Sequence, residues 1–332
     1  MKFGVGSGFL IMMLTGAVSA ASSLTVGILQ RQIDDAAEHG NFARVQLLRL
    51  QLAETFRDSS DYVQAARQYE LLLASRPSRS ERVSYSIQLG KMREATEDYS
   101  GAVSAYQDAL HDNPKSWEGN LALARLYEHI DLPLNAAQAY QRCIKMRPGK
   151  REPLEELGEV YQQLGYLDRA VDLYKKALAI SPQPQTYLKM SDCFMRKGNV
   201  AQAKQILEKA GEKVPLADYD IRLGEILLRE KDDKGACAAW EKALRSDRQR
   251  EDVRMHLAML YNQLHRYDDS DRLFSHLTRN YPQSPLVHFL RAWALIYRGD
   301  RKGSRAEAEI VQSLQPTEAV QYYNQQLLAQ LR

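Results

Sequence analysis

Arg151-Glu152-Pro153-Leu154-Glu155-Glu156-Leu157-Gly158-Glu159-Val160-Tyr161 opens a stretch that runs on to Ser181-Pro182-Gln183-Pro184 and decides the fold. Leu154, Leu157, Gly158 and Tyr161 fall at i, i+3, i+4 and i+7, one face of a helix. Gly165 closes that helix, since glycine adopts the left-handed conformation without steric cost. Asp168 is placed to cap a second helix whose inner stripe is Ala170, Tyr174 and Ala177. Pro182 stops it, having no amide hydrogen and restricting the residue before it. The product is a helical hairpin of 34 residues whose small positions let the two helices approach closely. One hairpin cannot bury its own apolar face, so neighbours of the same kind are required.

The chain supplies them. Positions equivalent to Gly158 are Ala53, Gly90, Ala124, Ser191, Gly224, Ala258 and Ala292. Twelve residues on, the second helix carries Ala65, Ala102, Ala136, Ala170, Ala203, Ala236, Ser270 and Ser304. Four further on come Tyr69, Tyr106, Tyr140, Tyr174, Leu207, Trp240, Phe274 and Ala308. Pro77, Pro114, Pro148, Pro182, Pro215, Arg248, Pro282 and Pro316 hold the terminator position. Successive small anchors are 37, 34, 34, 33, 33, 34 and 34 residues apart. The three extra residues near Ser78-Arg79-Ser80 read as a longer loop.

This pattern resembles the tetratricopeptide repeat family, most closely at Leu157-Gly158, Tyr161, Gly165, Ala170, Tyr174, Ala177 and Pro182. Arg93, Arg248, Arg291 and Ala308 depart from it. The resemblance implies an all-α, right-handed superhelical solenoid of about eight hairpins over residues 46–318. A helix within 21–45, with Leu29, Ile33 and Ala36 inward, is expected to cover one end. A helix over 319–332 is expected to cover the other, with Thr317 as its cap and Val320, Tyr323, Leu327, Leu328 and Leu331 inward.

The N-terminus differs from the rest. No charge lies between Lys2 and Arg31, Phe9 to Leu14 is apolar, and Val18-Ser19-Ala20 offers a cleavage point before Ala21. That is the layout of a secretory signal peptide over residues 1–20. An uncleaved membrane anchor over residues 3–30 is the alternative. The expected location is therefore outside the cytoplasm, the periplasm if the source is a Gram-negative bacterium.

Hydrophobic content of 44%, charged content of 26% and a net charge of +3 describe a folded chain with no nucleic-acid tract. Cys143, Cys193 and Cys237 are 50 and 44 residues apart, far from metal-ligand spacing, and Cys143 falls where Ala109 and Ala177 lie in neighbouring repeats. The histidines are scattered, and neither a phosphate loop nor a Gly-x-Ser-x-Gly elbow occurs. No catalytic residue, cofactor or metal is expected, and function is sought on surfaces.

In the family the outward stripe of the first helices lines a groove for partner segments, so protein partners are implied, and a homo-oligomer stays open. In repeat two that stripe is Ser84, Ile87, Lys91 and Glu94, and in repeat three Glu118, Leu121, Arg125 and His129. Glu152, Glu155, Glu156 and Glu159 of repeat four form an acidic centre suited to a basic segment, with a solvated charged face as the plain alternative. Repeat five gives Gln185, Leu188, Lys189, Asp192 and Arg196. Towards the C-terminus Leu286, Phe289, Leu290, Trp293, Ile296 and Tyr297 make an apolar stripe, continued by Met255 and Met259. It is either covered by the last helix or a docking surface. The function expected is a protein-binding scaffold or adaptor in envelope or secretion-machinery assembly. A co-chaperone using the apolar stripe is the rival, and an enzyme regulator a weaker one.

Overall fold

The structure, a computed structural model, describes residues 24–210 and 216–331. The expected signal segment and Pro215 lie outside the described residues. Every regular element among the described residues is a helix, and the fold is all-α. The chain divides into two compact units, residues 1–180 and 181–332. In unit 1, α1 (24–38) precedes four hairpins. These pair α2 (Phe42–Asp58) with α3 (Tyr62–Ala74), α4 (Arg79–Ala95) with α5 (Tyr99–Asp112), α6 (Trp117–His129) with α7 (Pro133–Met146), and α8 (Glu152–Gln163) with α9 (Leu167–Ile180). Unit 2 pairs α10 (Pro184–Arg196) with α11 (Val200–Ala210), α12 (Leu216–Arg229) with α13 (Asp233–Ser246), α14 (Glu251–Gln263) with α15 (Tyr267–Asn280), and α16 (Pro285–Arg298) with α17 (Arg301–Ser313). It closes with α18 (Glu318–Gln330).

Close approach within each hairpin builds the core. All sixteen small positions are buried, with Ala53, Ala65, Ala102, Ala124, Ala136 and Ala170 at 0% exposure. The large residue four places on fills the space this leaves, and Tyr106, Tyr140 and Tyr174 are also at 0%. A Cβ on Gly158 would lie 2.5 Å from Cε1 of Tyr174, and Gly90 and Gly224 stand in the same relation to Tyr106 and Trp240. The buried phenols then reach across to the first helix. Tyr106 donates to Glu94 at 2.7 Å, Tyr140 to Glu128 at 2.8 Å, and Tyr174 to Gln162 at 3.0 Å. Burial pushes the Tyr106 and Tyr140 hydroxyls well above the usual phenol range. At two of the three serine positions the hydroxyl is satisfied by the facing backbone: Ser191 donates to the Ala203 carbonyl at 2.9 Å and Ser270 to that of Ala258 at 2.8 Å, while the buried Ser304 hydroxyl makes no hydrogen bond to a described residue.

The turn inside each hairpin is as regular as the core. The residue five places before the second-helix anchor has positive φ in every repeat: Ser60, Glu97, Asp131, Gly165, Gly198, Lys231, His265 and Gly299. Only three of the eight are glycine, so the others hold an L side chain in a conformation costing roughly 1–2 kcal/mol. The next residue is the N-cap, and Asp61, Asp98, Asn199, Asp232 and Asp300 each accept from the backbone amide three residues on. Tyr166 holds that place in repeat four. Asp168 therefore lies in the first turn of α9 and is not its cap.

Other expectations change locally. The extra residues near Ser78 are no loop. Ser78 and Glu81 form a capping box, and α4 is 17 residues long against 13 for α6. The insertion is about one helical turn. The first hairpin begins at Phe42, before residue 46. Thr317 precedes α18 but makes no side-chain cap bond. Tyr323 is 56% exposed, and Asn324 is buried in its stead, donating to the Ala308 carbonyl at 2.8 Å. The amide hydrogen gives that helical carbonyl a further partner, while the buried Asn324 Oδ1 has none among the described residues. Cys143, Cys193 and Cys237 are free and buried, and burial pushes each thiol up to about 11, which leaves them unreactive as thiolates.

Two substitutions test this account by their denaturation midpoints. Glu97→Gly relieves the left-handed turn and should add about 0.5–1 kcal/mol. Gly158→Leu drives a side chain into the Tyr174 ring and should cost about 1–3 kcal/mol.

Candidate functional site

The first helices of unit 1 present the acidic run of repeat four, and it is already partly compensated. Glu152 is exposed. Glu155 accepts from Arg151 of its own helix start at 2.7 Å. Glu156 takes both Nε and Nη2 of Arg125, from α6, on one carboxylate oxygen, at 2.8 and 2.6 Å. Burial pushes the Glu156 carboxyl up, with Arg125 opposing. Glu159 is half-buried. Lys91 of α4 likewise binds Glu118 of α6 at 2.6 Å. The expected acidic centre is thus, for Glu155 and Glu156, part of a ladder of ion pairs within and between neighbouring first helices. Ile87, Leu121 and Leu188, read as groove positions, are buried at 3%, 7% and 6%. Lying three residues before the small anchor, Ile87 and Leu121 pack into the core clusters, whereas Leu188 lies under a cleft in unit 2.

In unit 2 the same face opens into a cleft of about 460 Å³ over α10, α12 and α14. Leu188, Ile221 and Val253 give it an apolar floor, edged by Trp240 and His256. The Trp240 ring lies 5.9 Å from that of His256, and its Nε1 donates to the Ile221 carbonyl at 3.2 Å. Two guanidiniums dominate the walls. Arg222 contacts Asp192 and Glu225, both at 3.0 Å, and Arg250 contacts Asp218 at 3.0 Å and Asp252 at 2.9 Å. Each arginine is held by a carboxylate of the preceding first helix and one of its own, so the donors are rigid. Gln185, Lys189 and Asp192 of the repeat-five stripe line the cleft. The sequence reading stopped short of Asp218, Arg222, Glu225, Asp252 and His256. Carrying the repeat-four offsets into repeats six and seven reaches all five.

The C-terminal stripe is divided. Trp293 and Ile296 pack with Leu327 and Leu328 of α18 and with Leu331 at its C-cap, and Leu290 and Met255 pack with the cluster around Phe274 and Val287. Met259, Leu286 and Tyr297 stay exposed, at 42%, 45% and 58%. Phe289 and Tyr297 flank Trp293 at ring distances of 6.4 and 5.8 Å, and Tyr297 stacks on Tyr267 at 6.2 Å. Arg291, in place of the usual leucine, is accommodated because Asp271 and Glu307 accept from it at 3.2 and 2.7 Å. Among the described residues no group of His, Cys, Asp and Glu could hold a metal ion. No described helix is long and apolar enough to cross a membrane.

Residues 87–151, 152–184 and 185–217 match three models described as Tetratricopeptide repeat. The chain is a tetratricopeptide-repeat protein. It is 24% identical over 224 residues to the BBSome complex member BBS4 of Bos taurus, covering 67% of this chain and 43% of that one. It is 33% identical over 92 residues to the general transcriptional corepressor ssn6 of Schizosaccharomyces pombe, covering 28% of this chain and 8% of that one. The chain spans less than half the length of these curated relatives. The Cut9–Hcn1 hetero-tetramer of the APC/C has a TM-score of 0.53 at 14% identity, over 87% of this chain and 62% of that chain. PilW, a type IV pilus biogenesis factor, has a TM-score of 0.52 at 18% identity, over 61% and 94%. These two likenesses are of fold.

Burial pushes the Asp192 carboxyl from 3.8 up to about 6, with Arg222 opposing. The folded chain therefore holds a proton that the unfolded chain releases, and stability falls as pH rises from about 4 to above 6. Asp192→Asn should be more stable than the parent at pH 8 by about 1–3 kcal/mol, and the gain should disappear near pH 4. Urea denaturation at the two pH values checks this.

Proposed function

We propose that this chain is a non-catalytic scaffold or adaptor, exported from the cytoplasm, that receives a segment of a protein partner along its first helices. The cleft over α10, α12 and α14 carries the reading. It combines an apolar floor with arginines fixed between carboxylates, the mixture of shape and preset polar groups that specific recognition uses. Asp192, Asp218, Glu225 and Asp252 outnumber the cations Lys189, Arg222 and Arg250 on its walls. A segment with basic side chains around an apolar anchor is the complementary ligand. The uncharged stretch from Phe3 to Gln30 supports export, and with it a role in envelope or secretion-machinery assembly.

Exposure of Met259, Leu286 and Tyr297 favours a second reading, a co-chaperone that holds unfolded clients. A client-aggregation assay separates the two, because a scaffold shows partner selectivity and a holdase does not.

Affinity capture from the native cell envelope, followed by mass spectrometry, tests the main proposal. A partner held by the parent chain should be lost on Asp218→Lys with Asp252→Lys, the helical circular-dichroism signal staying unchanged. Retention of every partner by that variant would refute the cleft, and a mature N-terminus other than Ala21 would refute cleavage there.

A further inference from the structure

We propose that a slot on the other face of unit 1, between the second helices α7 and α9, is a separate docking site for an acidic amphipathic peptide segment. The slot has a volume of about 350 Å³ and is floored by α8. Ile144, Leu157, Leu173 and the Tyr161 ring make its apolar surface. The ring is fixed in place. Its hydroxyl accepts from Nε2 of Gln141 at 2.7 Å, and the Tyr166 ring meets it edge-on at 6.0 Å.

Lys145, Arg169 and Lys176 stand around this surface, all exposed. Arg169 lies over the Tyr161 and Tyr166 rings, at 5.7 and 5.3 Å from their centroids. None of the three forms an ion pair with a described residue. Asp172 is the one carboxylate in the lining; its ion-pair partner is Lys175 of its own helix, at 3.8 Å, so the slot carries three cations against one carboxylate.

The first-helix face is arranged differently. There Lys91, Arg125, Arg222 and Arg250 are each neutralised by a carboxylate of a neighbouring first helix. In the slot three cations converge on apolar surface and, among the described residues, no carboxylate forms an ion pair with any of them. One repeat earlier the equivalent positions are His111, Asn135 and Arg142, a single fixed cation, so the cluster is no consequence of the repeat pattern. The missing carboxylates are supplied by the ligand. A large apolar side chain enters between Ile144 and Leu173, and flanking Asp or Glu residues reach Lys145 on one side and Arg169 and Lys176 on the other. Because the cations are solvated before binding, association is steered by charge and weakened by salt.

The test uses the full chain and a fluorescent synthetic peptide, Glu-Glu-Leu-Phe-Glu-Glu, with anisotropy as readout. Binding should weaken as salt is raised. Lys145→Glu with Lys176→Glu, both at exposed positions, should weaken it at least about tenfold with an unchanged circular-dichroism spectrum. Ile144→Ser should also weaken it, whereas Asp218→Lys with Asp252→Lys in unit 2 should not. The proposal is overturned if the peptide does not bind, if the double reversal leaves its affinity unchanged, or if Ser replaces Leu and Phe in the peptide without loss. It is equally overturned if phosphatidylserine vesicles occupy the charged slot in preference to the peptide.

Discussion

The approach of one helix to the other inside a hairpin is the constraint on which the rest depends. A side chain no larger than Ala or Ser at both anchor positions lets the two backbones come close, and a buried ring or leucine then fills the volume beside them in all but the last repeat. Interiors are packed as densely as organic crystals, so the ring and the missing side chain must match. Gly158 against Tyr174 shows the match in its tightest form, and Ala124 against Tyr140 shows that one methyl can be absorbed. The phenols also tie the second helix to the first through their hydroxyls, which keeps buried polar atoms satisfied. Within each unit, repeated packing of this kind sets first helices beside first helices and second beside second, and the surface is made of what they carry outward.

Outward charge has different meanings on the two faces. Along the first helices, adjacent repeats bring a cation of one to a carboxylate of the next, as in Lys91 with Glu118 and Arg250 with Asp218. Pairs this exposed contribute at most about 1 kcal/mol each, so they act mainly to fix where donors point. A run of glutamates on one helix therefore says little until the neighbouring helix is known. Arg125 lies 31 residues before Glu156 and still takes up its charge. Along the second helices of unit 1 the cations around Tyr161 form no ion pair with a described carboxylate.

Much of this organisation was legible in advance, for physical reasons that can be named. Small anchors, buried rings and the left-handed glycine at Gly165 each follow from local sterics, and local sterics repeat with the sequence. The caps were equally local. Asp61, Asp98, Asn199, Asp232 and Asp300 recur four residues before the second-helix anchor, yet repeat four has Tyr166 there, and starting from that repeat shifted the cap onto Asp168. Ser78 and Glu81 spelled out a capping box that turns an apparent loop into a helical turn. In α18, Tyr323 and Asn324 flank the same inward direction, and helical periodicity cannot choose between them. The Ala308 carbonyl chose the amide.

By itself the sequence determined the repeat, its register, the all-α class and the identity of the core, because those depend on contacts within a hairpin whose members are close along the chain. Tertiary structure decided which surface charges are neutralised, how α18 divides the apolar stripe of α16, and where clefts open. Those outcomes rest on pairs some 20 to 30 residues apart, such as Asp192 with Arg222 and Arg291 with Asp271, and on the spacing between helices that no single helix encodes.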